Sequence, residues 1–309
     1  MKKFIFYIGG ILREQLQNLI KKTLESKCKL PDESLGFKKI DISNHNDHVF
    51  ICHSNELLID VIYNSIIDYS FNQFDIDKYS VDNLMSKALQ QKIKYSQEQG
   101  LDNKIKYGFY GEVLLYSILY YFFQAKPLIS RGYFYSPLSK SETSGYDSYH
   151  LAQHNNKVYL WFGEVKFKVS LNSCVTSALN GLNKALSDNY LSRNILALEE
   201  FTDRFSIKGS KIESILNSWS ENPSINIIDE VKKYEMTLVY PILLIYSYNS
   251  PDFEQKIIKA IECINNHSNN TKISLSIDYR LFFILMPLED IKVIKQRVIE
   301  CIESKKPLI

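Results

Sequence analysis

Apolar positions recur at helical spacing over residues 14–26 and again over 55–70, where NELLIDVIYNSIID reads as a helix with Asn55 as its N-cap. Residues 36–52 between them read as short strands or irregular structure. Tyr107–Phe123 (YGFYGEVLLYSILYYFF) is apolar nearly all round, which is the pattern of a buried helix. Three strand patterns follow, over 128–136 (LISRGYFYS), 145–152 (GYDSYHLA) and 158–168 (VYLWFGEVKFK). A polar helix is predicted over 172–189 and mixed helical structure from there to about 233. Then come a strongly apolar strand over 237–248 (TLVYPILLIYSY), an amphipathic helix over 252–266, a long strand or bent pair over 273–286, and a last helix over 289–304. This order predicts an α/β layer architecture with helices covering a central sheet. The polar stretch Ser96–Asn103 (SQEQGLDN) is the best break, separating an α-rich region 1–100 from a region 101–309.

At 309 residues the chain suits one large domain or two ordinary ones. Hydrophobic residues at 45% and charged residues at 23% are globular values, and 21 Tyr and 17 Phe supply a sizeable core. With 37 basic and 35 acidic side chains the net charge is only +2, so any nucleic-acid binding must use a local basic patch. Cys28, Cys52, Cys174, Cys263 and Cys301 form no CxxC pair, which argues against a disulfide framework or a cysteine zinc site and for reduced thiols in the cytoplasm. MKKFIFYIGGIL at the start runs into Arg13-Glu14 with no small-residue cleavage site, so it is not read as a signal peptide. The apolar run Val113–Phe123 falls short of the roughly 20 residues a bilayer span needs. A soluble protein is expected.

The chemistry concentrates in Leu160–Lys168. Strand alternation puts Glu164 and Lys166 on one face, with Trp161, Val165 and Phe167 on the other. Taken alone, E-x-K on a strand reads as an ion pair at a strand end. Two more carboxylates change that weight. Asp147 lies on the preceding strand pattern, and a hairpin turning near His154–Lys157 brings it beside Glu164. Glu112 sits inside the apolar helix, where a charge needs a partner. Clustered carboxylates suit a hard cation such as Mg²⁺, with Mn²⁺ as a substitute, and a neighbouring lysine stabilises charge developing on a phosphate. Phosphodiester hydrolysis is the natural chemistry of such a set.

Other constellations carry less. His150 and His154 stand four apart on a strand and turn, so they share no helical face for zinc, and His150 is expected to pack or hydrogen-bond beneath the sheet. His45, His48 and Cys52-His53 read as surface groups. There is no G-x-S-x-G elbow and no G-x-x-x-x-G-K-S/T loop, and Gly9-Gly10 reads as a turn. Lys166, Lys168, Lys184, Arg193, Arg204, Lys208 and Lys211 form a basic stretch that is either solvated surface or a DNA-backbone track. The aromatic cluster within Tyr107–Phe123 reads as core.

The order Glu112, Asp147, Glu164-x-Lys166 resembles the PD-(D/E)XK nuclease superfamily, although Tyr146 stands where that family has its Pro. A closer resemblance, to the HamA nuclease subunit of the Hachiman anti-phage system and its relative AbpA, is carried by YGE (Tyr110–Glu112), PLIS (Pro127–Ser130), GYDSYHL (Gly145–Leu151), LWFGEVKF (Leu160–Phe167) and ILMPLED (Ile284–Asp290). These landmarks span residues 107–290, and residues 1–100 carry no placed motif. The resemblance implies a restriction-endonuclease-like core over 101–309, with a mixed central sheet flanked by helices, and an accessory, partner-docking region over 1–100. It implies Asp147, Glu164, Glu112 and the Val165 carbonyl as Mg²⁺ ligands, with Lys166 as the catalytic lysine. It also implies DNA cleavage without marked sequence preference, held off by a superfamily-2 helicase partner until activation, with no membrane and no small-molecule cofactor involved. The alternatives are a non-catalytic subunit that grips DNA or the helicase, and an unrelated α/β interaction domain whose E-x-K is a structural ion pair.

Overall fold

A computed structural model describes residues 14–29, 47–72, 76–136, 141–142, 145–154, 157–199, 211–221, 225–248, 252–268 and 273–304. Its strands are β1 (Leu24–Lys29), β2 (His48–Cys52), β3 (Lys126–Pro127), β4 (Tyr135–Ser136), β5 (Ser141–Glu142), β6 (His150–His154), β7 (Lys157–Trp161), β8 (Glu164–Lys168), β9 (Thr237–Ser247) and β10 (Tyr279–Leu288). Its helices are α1 (Glu14–Thr23), α2 (Asn55–Ser70), α3 (Val81–Gln91), α4 (Leu101–Lys104), α5 (Phe109–Phe122), α6 (Leu171–Ala185), α7 (Asp188–Glu199), α8 (Lys211–Ser220), α9 (Ile227–Lys233), α10 (Phe253–Ser268) and α11 (Ile291–Ser304).

The fold is a mixed α/β arrangement in which helices flank a curled, mixed central sheet. The sheet runs in the order β1-β2-β10-β9-β7-β6-β3, with β8 continuing β7 alongside β9. Its centre is parallel: β9 pairs with β10, and with β7 and β8 on its other edge. Both central strands are nearly continuous apolar runs, as expected where helices cover both faces. Leu238, Tyr240, Ile242 and Leu244 of β9 pack with α6–α10 on one face. Val239, Leu243 and Ile245 pack with α1, α2, α3, α5 and α11 on the other.

Residues on both sides of Ser96–Asn103 enter this second core, and β2 joins the sheet in parallel with β10. Ser54 rather than Asn55 caps α2, its Oγ accepting from the Leu57 N–H at 3.2 Å. Among the described residues no helix is long and apolar enough to cross a membrane.

Three strand expectations change. Over 128–136 the chain leaves the sheet after Pro127, makes a 3-10 turn at Arg131–Phe134 and enters the small β4–β5 hairpin. Gly132 lets that turn pack closely on the end of α2, since a Cβ there would stand 2.8 Å from the Ser70 carbonyl oxygen. Over 145–152 the strand begins only at His150, and Asp147 lies in the loop before it. Over 158–168 the strand is interrupted at Phe162-Gly163. Residues 1–13, which include Gly9-Gly10, and 30–46, which include His45, lie outside the described residues.

Candidate functional site

The interruption at Phe162-Gly163 organises the site. β7 and β8 keep one register against β9, from Tyr159 opposite Thr237 through Lys168 opposite Tyr246. The Phe162 N–H still bonds the Val239 carbonyl at 3.1 Å, but Pro241, level with Gly163, has no N–H and the ladder lapses. Gly163 is needed there, since a Cβ would meet Pro241 Cγ at 2.8 Å, the Pro241 carbonyl oxygen at 2.9 Å and Ser148 Oγ at 3.0 Å. Its own backbone turns to the loop before β6: its N–H donates to Ser148 Oγ at 2.9 Å, and its carbonyl accepts from the Asp147 N–H at 2.9 Å.

Asp147 is thereby fixed on the open edge of β8, where its Oδ2 accepts from the Val165 N–H at 2.9 Å. Strand alternation directs the Val165 carbonyl to the same edge. Burial pushes the Asp147 carboxyl above its ordinary range, while the Lys166 charge, the Val165 N–H and the Arg131 charge pull it back. Lys166 Nζ forms an ion pair with Glu164 Oε1, each side chain 21% exposed. The Tyr240 hydroxyl donates to the other Glu164 oxygen at 3.5 Å.

Glu112 enters from α5. It stands in the first turn of the helix, where the dipole favours a carboxylate, and accepts a hydrogen bond from the Tyr69 hydroxyl of α2. Gly111 lets α5 close on β8, because a Cβ there would lie 2.9 Å from Val165 Cγ2. Glu112, Asp147, Val165 and Lys166 line one cleft of about 520 Å³, together with Lys106, Lys168, Lys292 and Lys295. Glu164 is not among its lining residues. Five lysines and two carboxylates thus face a single cavity, an arrangement suited to an anionic ligand with an electrophilic centre.

A family model, HamA, matches residues 17–302. The chain belongs to the HamA family. Membership points to a role in anti-phage defence. No curated protein and no solved structure matches the chain. Three of the five HamA-like landmarks reach the cleft, through Gly111-Glu112, Asp147 and Val165-Lys166-Phe167, and the Ile284–Asp290 segment leads to Ile291, which also lines it.

Among the described residues, no group of three or more His, Cys, Asp or Glu side chains stands together as a metal cage. The cleft instead offers oxygen donors from the Asp147 and Glu112 side chains, with the Val165 carbonyl on the Asp147 edge. That donor set fits a hard divalent cation held on one side and completed by water.

His150 is buried, neither ring nitrogen has a hydrogen-bond partner among the described residues, and the ring packs 5.0 Å from that of Tyr116. His48, expected at the surface, is buried against Phe123 with ring centroids 5.0 Å apart, because β2 lies inside the sheet beside β10. Of the basic stretch after the motif, only Lys166 and Lys168 reach the cleft; Arg204 and Lys208 lie outside the described residues. Residues the sequence did not single out hold the site together: Ser148 and Gly163 place Asp147, Tyr69 holds Glu112, and Lys106, Lys292 and Lys295 complete the walls. The one local signal for any of them was the Gly inside an apolar strand pattern, which marks a break or a close backbone approach.

Proposed function

We propose that this chain is a Mg²⁺-dependent deoxyribonuclease of an anti-phage defence system, built on a PD-(D/E)XK core. We read it as cutting with little sequence preference and as restrained by a superfamily-2 helicase partner, with the region before residue 100 as its accessory part. The observation that carries this reading is the lock between Asp147 and the E-x-K strand, through the Gly163 carbonyl and the Val165 N–H.

Asp147, Glu112 and the Val165 carbonyl would hold the cation, while Glu164, expected as a further ligand, is turned to Lys166 and Tyr240; the cation when bound supplies Lewis-acid stabilisation of a phosphoryl oxygen. Lys166, half-buried at the cleft, donates to a non-bridging phosphate oxygen or orients the attacking water. Glu164 holds the Lys166 ammonium in place through their ion pair. Tyr69 keeps the Glu112 carboxylate in a single orientation.

Purified protein incubated with supercoiled plasmid and linear duplex is expected to cut both in Mg²⁺ and neither in EDTA. Lys166→Ala and Glu164→Gln are each expected to lose on the order of a hundred- to a thousandfold in rate with unchanged melting behaviour. Cleavage retained in both variants would sink the reading.

The turn of Glu164 toward Tyr240 and Lys166 favours a second reading, a subunit that grips DNA or the helicase without cutting. Calorimetry separates the two: heat from Mg²⁺ or Mn²⁺ that disappears in Asp147→Asn supports the nuclease, and no heat supports the binding subunit.

A further inference from the structure

Lys295 is 7% exposed, yet it lines the cleft. Its ammonium donates to the Phe167 carbonyl at 2.9 Å and lies 4.6 Å from the Phe167 ring centroid and 5.6 Å from that of Tyr110. Among the described residues no carboxylate pairs with it. An ammonium carries three N–H donors, and the Phe167 carbonyl takes one. Burial lowers its pKa to about 8, so it stays mostly protonated at neutral pH, a desolvated charge without a counter-ion.

Lys292 lies one turn earlier on α11, exposed and lining the same cleft. Two like charges on adjacent turns of one helix face repel each other. Lys106, exposed on the segment leading into α5, looks in from the other wall, and among the described residues neither Lys106 nor Lys292 has a carboxylate partner. Three cations, none paired with a carboxylate among the described residues, line a cavity that Glu112 and Asp147 also line.

We infer that α11 is a phosphate-binding wall: Lys295 and Lys292, facing Lys106, hold backbone phosphates of the DNA strand that runs past Asp147 and Lys166. This rests on the nuclease reading for the identity of the polyanion. The aromatic faces of Phe167 and Tyr110 fix the Lys295 ammonium in direction, so it grips one phosphate, whereas Lys292 and Lys106 act as mobile point charges. None of the three reads bases, so the wall adds affinity without sequence preference.

The test is fluorescence anisotropy of a fluorescein-labelled duplex oligonucleotide with the full-length protein in EDTA, titrated over a range of NaCl concentrations. Lys292→Gln and Lys295→Gln are each expected to weaken binding by about threefold to tenfold and to lower the slope of log Kd against log salt by about one. Lys295→Arg should keep the slope. Lys259→Gln, which alters an exposed ion pair with Glu262 on α10, should change neither quantity. Lys292 is exposed, so its variant tests the wall even where Lys295→Gln fails to fold.

Absent duplex binding by the wild-type protein, or unchanged affinity and slope in a folded Lys292→Gln, overturns the inference. Plasmid cleavage in Mg²⁺ is measured alongside. Lysine-dependent binding without wild-type cleavage removes the nuclease and leaves the wall; cleavage with lysine-independent binding does the reverse.

Discussion

His150 shows what a single buried group costs. Its ring packs against Tyr116 with no hydrogen-bond partner among the described residues, and burial lowers its pKa from 6.5 to about 3. The folded protein therefore holds it neutral, while the unfolded chain protonates it below about pH 6.5. In that window the unfolded state binds more protons, so stability falls as the pH falls. Between pH 7 and pH 5 this one residue should remove about 2 kcal/mol. His150→Phe keeps an aromatic ring against Tyr116 and deletes the titration. Urea unfolding at the two pH values should show the wild type losing about 2 kcal/mol more than the variant. An equal loss in both would mean the ring is protonated, or hydrated, in the folded state.

At the level of elements, the site depends on a strand being broken at one place. Pro241 interrupts the ladder, Gly163 accepts the close approach, and the released backbone fixes the Asp147 loop. Gly163→Ala puts a methyl into the Pro241 ring and carbonyl, and should cost about 1–3 kcal/mol by overpacking. It should also lower cleavage more than the loss of stability accounts for, because the Asp147 anchor moves. Gly163→Ala combined with Pro241→Ala should recover part of the stability, a coupling that a double-mutant cycle measures directly.

The same break marks how far the sequence could be read. β9 and β10 were legible as apolar runs because both their faces are buried, and α2 was legible because its apolar periodicity matches its length. The β6–β7 hairpin turned where the polar residues near 154–157 indicated. The 3-10 turn at Arg131–Phe134 was not legible, because its Gly132 packs on the end of α2, a contact between distant segments. Asp147, Glu164 and Lys166 stood out as candidates because they lie within twenty residues of one another. Tyr69, Lys106 and Lys292 were missed because nothing near them in sequence distinguishes them from an ordinary buried Tyr or surface Lys. Only tertiary packing gives them a role.

Across the whole molecule, α11 is tied to the segment before α5 by groups that do not line the cleft. Glu303, near the end of α11, accepts from Lys104 Nζ at 2.5 Å and from the Tyr95 hydroxyl at 2.8 Å. Lys104 also donates to the Gln97 carbonyl at 2.9 Å, and its own carbonyl accepts from the Tyr110 hydroxyl at 2.9 Å. The clasp joins the helix carrying Lys292 and Lys295 to the segment carrying Lys106 and Gly108. Its partners are unequally buried, with the Lys104 side chain 8% exposed and that of Glu303 42%. Glu303→Ala strands a buried ammonium and should cost about 2 kcal/mol, whereas Lys104→Met leaves a carboxylate that water reaches and should cost about 1 kcal/mol. Burial alone would push the Glu303 carboxyl up, but the Lys104 and Tyr95 hydrogen bonds and the Lys104 charge together hold it below its ordinary value. A carboxylate held low stabilises the fold above its unfolded pKa and loses that contribution as the pH drops through the folded one. Lys104→Met should therefore flatten the acid limb of the stability curve below about pH 4.5, without affecting the decline near pH 6 that belongs to His150. Urea midpoints of the two variants across that range would test both the ranking and the separation of the two limbs, and an equal cost for both variants would show that the clasp is solvated on both sides.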